Sequence, residues 1–73
     1  MNTLIIEHWE RIGTELKAAR ENQGKTREQL TTVSPYLHIN TLYMVENNKV
    51  TPTLSTLADW ARALGYDEIV IRF

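Results

Sequence analysis

Few side chains in this sequence have the type and spacing for covalent or metal chemistry. His8 and His38 stand thirty residues apart, with no His-Glu-x-x-His or equivalent arrangement, so no metal site is expected. Ser34, Ser55 and the two histidines form no recognisable nucleophile arrangement. The three glycines are isolated, which excludes a phosphate-cradling glycine-rich loop, and there is no cysteine to bind zinc or form a disulfide. No catalytic residue and no cofactor is therefore expected. What remains is hydrogen-bonding and apolar contact chemistry, and it is concentrated. Residues 29–45 contain no Asp, Glu, Lys or Arg. Within them, Ile39, Asn40, Thr41, Tyr43 and Met44 face outward on a helix if Leu37, Leu42 and Val45 face the core. A solvated helix face ordinarily carries Lys or Glu. A face with neither is expected to meet a partner, although a plain solvent face with scattered apolar residues fits the same spacing.

Helical periodicity dominates the elements that must position these residues. Ile5, Trp9, Ile12, Leu16 and Ala19 recur at steps of four, three, four and three, one apolar stripe with Glu7, Glu10, Arg11, Glu15 and Lys17 off it. Gly24 is a natural stop. Thr3-Leu4-Ile5-Ile6 is β-branched enough to be a short strand instead, with the helix beginning only near Glu7. Thr26 with Gln29 three residues on fits a capping box for a short second helix burying Leu30 and Val33, ended by Ser34-Pro35. A third helix is expected over 39–46. After the loop-like Asn47-Asn48-Lys49-Val50-Thr51-Pro52, Thr53 can cap a fourth helix with Leu54, Leu57, Ala58, Trp60, Ala61 and Leu64 pointing inward and Gly65 just past its end. Trp9 and Trp60 sit on apolar stripes and read as core. Residues 69–73, Ile-Val-Ile-Arg-Phe, read as a strand.

Seventy-three residues make one small domain, 1–73, with a core over 7–66 and a terminal strand over 68–73. The thin core of such a chain leaves little room for a deep cleft. The balance of eight Lys+Arg against nine Asp+Glu, a net charge of −1, creates no global positive field. With 42% apolar and 23% charged residues the chain reads as globular, and Leu4-Ile5-Ile6, like every other apolar run in the chain, is far too short to span a bilayer. A soluble, intracellular protein is expected.

The order helix, short helix, tight connection, short helix, loop, helix is that of a helix-turn-helix domain. Residues 12–26, Ile-Gly-Thr-Glu-Leu-Lys-Ala-Ala-Arg-Glu-Asn-Gln-Gly-Lys-Thr, resemble the opening helix of the Cro/lambda-repressor-like (XRE) family. Val45-Glu46-Asn47-Asn48-Lys49, followed by Thr51-Pro52-Thr53-Leu54-Ser55-Thr56-Leu57 and by Ala61-Arg62-Ala63-Leu64-Gly65, resembles its ending. The resemblance covers roughly residues 10–66. It implies an all-α fold of four or five helices with a short C-terminal strand. The implied function is a duplex-DNA-binding transcriptional regulator of phage-repressor or antitoxin type, cytoplasmic and encoded by a bacterium or phage. Its third helix would enter the major groove, and a homodimer would sit on a palindromic operator. The departures lie in the turn. Thr31 follows the helix-2 leucine where the family usually has Ala, and Pro35-Tyr36 occupies the place of the usual Gly. The sixteen residues from Leu30 to Glu46 are one more than usual, so the turn must be remodelled.

The resemblance also implies roles. Ile39, Asn40, Thr41, Tyr43 and Met44 match base-reading positions. Asn can pair bidentately with adenine, Thr can bond either kind of base, and Ile can touch a thymine methyl. Thr26, Arg27, Asn47, Asn48 and Lys49 match phosphate-contact zones, at the start of helix 2 and after helix 3, though ordinary loop polarity would look the same. Arg20 and Glu46 match a structural ion pair. The charge over residues 25–56 is +1, rising to +2 if Arg20 neutralises Glu46. Several antitoxin-type and phage regulators of the family end in a strand that pairs across a dimer axis, which assigns Ile69, Val70, Ile71, Arg72 and Phe73 to an interface. A lone strand cannot satisfy its own backbone, so its partner is either residues 4–6 of the same chain or a second subunit. The alternative to a DNA reader is a protein-interaction module, such as an antitoxin holding a toxin, that uses the uncharged third-helix face on a protein.

Overall fold

A computed structural model describes residues 2–73. Four helices, α1 (Ile12–Asn22), α2 (Arg27–Val33), α3 (Ile39–Glu46) and α4 (Leu54–Ala63), are flanked by two short strands, β1 (Thr3–Ile6) and β2 (Glu68–Ile71). One 3-10 turn, Trp9–Arg11, leads into α1. The helices stop and start where local chemistry directs. Thr26 accepts from the Gln29 backbone N–H, and the Gln29 side chain accepts from the Thr26 N–H, a complete capping box. Thr53 accepts from the Thr56 N–H at the start of α4. At the end of α3, Asn48 takes φ +58°, the Asn48 N–H donates to the Val45 carbonyl and the Lys49 N–H to the Met44 carbonyl. That closes α3 with a left-handed residue other than glycine, a role Asn tolerates.

The core is contributed by every element. Ile12 and Leu16 of α1, Leu30 of α2, Leu37 in the turn, Leu42 and Val45 of α3, and Leu57 and Trp60 of α4 are buried together with Leu4 and Ile6 of β1. Trp60 is fully buried, while Trp9 is only partly so and faces Phe73 with ring centroids 5.7 Å apart. Two expected core positions within the helices differ. Val33 is 60% exposed and Leu54 75% exposed. Val33 is the last residue of α2, where the chain turns away and Leu37 fills the site beneath. Leu54 is the first residue of α4, a turn short of the packed interface.

The terminal strand pairs within the chain. β1 and β2 form a two-stranded parallel sheet in the register Thr3↔Glu68, Leu4↔Ile69, Ile5↔Val70 and Ile6↔Ile71. The four helices are the crossover between them. Ile5 therefore leaves the expected helical stripe. Strand alternation buries Leu4 and Ile6 and leaves Ile5 half-exposed on the outer face. The strand is also shorter than the expected 68–73. Arg72 donates its backbone N–H to the Ile6 carbonyl and its guanidinium to Glu7 at 2.8 Å, beyond the strand's last residue, and Phe73 is 95% exposed. Intrachain pairing meets the need of β2 for one backbone partner, so that need no longer demands a second subunit. Deleting residues 68–73 should strip the cover from Leu4 and Ile6, lower the unfolding midpoint and free the amides of residues 4–6 to exchange. A truncated chain with the full-length midpoint and slow exchange would contradict the placement of β1 in the core.

Candidate nucleic-acid interface

The interface begins with the phase of α3. Leu42, Val45 and Glu46 are turned in and fully covered, so Asn40, Tyr43 and Met44 point outward, with Ile39 and Thr41 partly buried at the edges. Among the described residues, neither the Asn40 side chain nor the Thr41 side chain has a hydrogen-bond partner, and no acid or base sits on the helix apart from buried Glu46. A row of unpartnered donors and acceptors on a rigid helix is suited to reading another hydrogen-bonding surface.

The depth at which α3 sits is set at its crossing with α1. A Cβ placed on Gly13 would overlap the Val45 carbonyl oxygen and come within 2.7 Å of the Asn48 side-chain oxygen. The backbones of the two helices touch there, and only glycine permits it. Asn48 then donates its side-chain amide to the Thr14 hydroxyl at 3.1 Å, tying the end of α3 to the start of α1. The longer α2–α3 connection, residues 34–38, holds its length in the exposed pair Pro35-Tyr36. Leu37 remains buried, and its N–H bonds the Ser34 carbonyl at 3.3 Å.

Beneath α3 lies a charge cluster. The Glu46 side chain has no exposure and accepts from Arg20 Nε at 2.8 Å, Arg20 Nη2 at 3.0 Å and Arg27 Nε at 2.9 Å. Arg20 Nη1 donates to the Lys25 carbonyl at 2.7 Å, so Arg20 is fully engaged. Its hydrogen bonds to Glu46 push the Arg20 pKa above its ordinary value, against the opposing effect of burial, and keep it a cation throughout the useful pH range. Arg27 comes from the first residue of α2, bonds Glu46 and lies over the Tyr43 ring at 4.1 Å from its centroid. One carboxylate thus holds two guanidinium groups, with Glu21 4.0 Å from Arg20 at the edge of the cluster.

The phosphate-contact candidates are placed unequally. Lys49 is exposed and in no ion pair among the described residues, and Asn47 beside it is exposed. Arg27 is bound to Glu46, Asn48 to Thr14, and Thr26 serves the capping box. The second arginine on Glu46, the Arg27–Tyr43 stack and the tight Gly13 crossing were not read from the sequence. The only signal was spacing. Tyr43 and Glu46 are one helical turn apart, so one cation from a neighbouring helix can reach both.

A family model described as helix-turn-helix matches residues 16–71. No curated protein and no solved structure matches the chain. Among the described residues, no helix is long and apolar enough to cross a membrane. The short α2, the outward-facing α3 after it and the Arg20–Glu46 pair behind them occur in the segment that the model matches, and the chain belongs to the helix-turn-helix family of the Cro/lambda-repressor (XRE) type, DNA-binding regulatory domains not typically enzymatic.

Proposed function

We propose that the protein is a sequence-specific duplex-DNA-binding transcriptional repressor, cytoplasmic and bacterial or phage-encoded, with α3 in the major groove. The observation that carries this is the outward face of α3, uncharged, with Asn40 and Thr41 unpartnered, and flanked by the cations Lys49 and Arg27. Ile39, Asn40, Thr41, Tyr43 and Met44 read base edges, and Thr26, Arg27, Asn47, Asn48 and Lys49 hold phosphates. The protein acts as a homodimer that places two copies of α3 one DNA turn apart on a palindromic operator. The terminal strand, residues 69–73, contributes to that dimer through the edge of β2 that β1 leaves open.

The charge supply sets a measurable consequence. Each subunit brings about two or three cations to the groove: Arg27, Lys49 and Lys25. A dimer then neutralises about five phosphates, for a log–log salt slope of roughly −4 to −5. Lys49→Ala is expected to weaken binding to all duplexes about equally and to flatten the slope by about one. Titrations at several salt concentrations measure both quantities, and a slope near zero would contradict phosphate contact.

A second reading gives the uncharged α3 face to a protein partner such as a toxin. Tyr43 and Met44 are exposed on that face, and Val33 and Tyr36 are exposed at the α2–α3 connection. Under that reading, DNA titrations show no preference for any duplex sequence.

A further inference from the structure

Arg27 has a geometry unlike that of a free surface arginine. Its Nε is held at 2.9 Å by Glu46, whose carboxylate is fully covered. Its planar face is held by Tyr43, 4.1 Å from the ring centroid and within the range of a cation–π contact. Among the described residues, neither of its terminal nitrogens, Nη1 or Nη2, has a hydrogen-bond partner, although three Arg20 nitrogens are all engaged. Arg20, with a side chain 6% exposed, lies beneath the cluster, and Arg27, 21% exposed, is its outermost cation. Tyr43 belongs to the outward face of α3. The guanidinium therefore travels with α3, although its backbone belongs to α2.

We infer that Arg27, Tyr43 and Glu46 act as one pre-set unit, in which the two terminal nitrogens of Arg27 form a fork for paired acceptors on duplex DNA: the O6 and N7 of a guanine, or two oxygens of one phosphate. The inference rests on the DNA-binding reading and deepens it. A guanidinium held at one nitrogen and across one face has little freedom left to lose on binding, and its remaining edge has the spacing of bidentate recognition. Glu46 sets the direction of the fork, and Tyr43 keeps it on the α3 face. Tyr43, one of the α3 residues assigned to base edges above, also positions Arg27, and does so by its ring and not its hydroxyl.

The test uses a duplex that the wild-type chain selects from a randomised pool, a scrambled duplex of the same length, and chains whose denaturation midpoints match wild type. Arg27→Lys keeps a cation for Glu46 but has no fork, and it should weaken binding to the selected duplex about tenfold. Tyr43→Phe keeps the ring and should lose less than Tyr43→Leu. Tyr43→Leu should weaken binding about tenfold alone and not further in the Arg27→Lys background. The acceptor is a guanine if the Arg27→Lys loss disappears when one G·C pair is replaced. It is a phosphate if the loss is equal on the scrambled duplex. Additive losses for Arg27 and Tyr43, or a Tyr43→Phe loss as large as that of Tyr43→Leu, overturn the inference and leave the DNA reading intact. A wild-type chain that enriches no duplex overturns both.

Discussion

Glu46→Ala is expected to destabilise the fold by about 3–5 kcal/mol, measured as a shift of the denaturation midpoint. The loss would consume much of a stability that, at about 0.05–0.15 kcal/mol per residue, amounts to roughly 4–11 kcal/mol for a domain this size. The magnitude follows from what is left behind. Removing the carboxylate leaves the buried Arg20 guanidinium with the Lys25 carbonyl and a 4.0 Å contact to the exposed Glu21, and leaves Arg27 beside it as a like charge. Arg20→Ala should cost less, because Arg27 still faces Glu46. The Arg20→Ala/Glu46→Ala double variant should lose less than the sum of the two singles. Replacing all three charged residues by apolar ones of similar volume should also cost less than Glu46→Ala alone, since no charge is then stranded. A coupling energy near zero between Arg20 and Glu46 would contradict this account.

Gly13→Ala should be of similar or greater severity, at more than about 3 kcal/mol, the upper part of the range for overpacking a tight contact. The added methyl overlaps the Val45 carbonyl oxygen and stands 2.9 Å from the carbonyl carbon, both of them backbone atoms of α3. A side chain could rotate away, but a backbone cannot, so α1 and α3 must separate. Separation opens the core to which Leu16 of α1 and Leu42 and Val45 of α3 belong and pulls Asn48 from Thr14. The variant should lose both midpoint and DNA affinity, because α3 no longer sits at its depth. Denaturation and binding titrations of one Gly13→Ala preparation check this, and a wild-type midpoint would sink the argument for the crossing.

The parts of this fold legible in the sequence are those written in local chemistry. Thr26 with Gln29, Thr53, Gly24 and Gly65 mark helix ends because caps need particular side chains within a few residues. The outward face of α3 followed from Leu37, Leu42 and Val45. The N-terminal strand was ambiguous for a physical reason: four apolar or β-branched residues, Thr3 to Ile6, satisfy a period of two and the start of a helical stripe equally well. What decides between them is the backbone of β2, more than sixty residues away. The same distance concealed the site's tertiary detail. The Arg20–Glu46 pair was reachable by resemblance, but nothing local says that Arg27 also turns to Glu46 and lies on Tyr43. Gly13 looked like an ordinary helical glycine because its need arises only where α3 crosses it.

The central claim is that α3 reads duplex sequence, and Asn40 tests it most directly. It is exposed, lies in the first turn of α3 and has no hydrogen-bond partner among the described residues, so Asn40→Ala removes a proposed reader without disturbing the core. The measurement is a binding titration of wild-type and Asn40→Ala chains against the duplex selected from a randomised pool and against its scrambled counterpart. The account predicts that wild type binds the selected duplex at least about a thousandfold more tightly than the scrambled one. It also predicts that Asn40→Ala costs about 1–3 kcal/mol on the selected duplex and changes little on the scrambled one. Equal wild-type affinity for the two duplexes, or a selected-site affinity that neither Asn40→Ala nor Lys49→Ala alters, would contradict it and place a protein partner on this face instead.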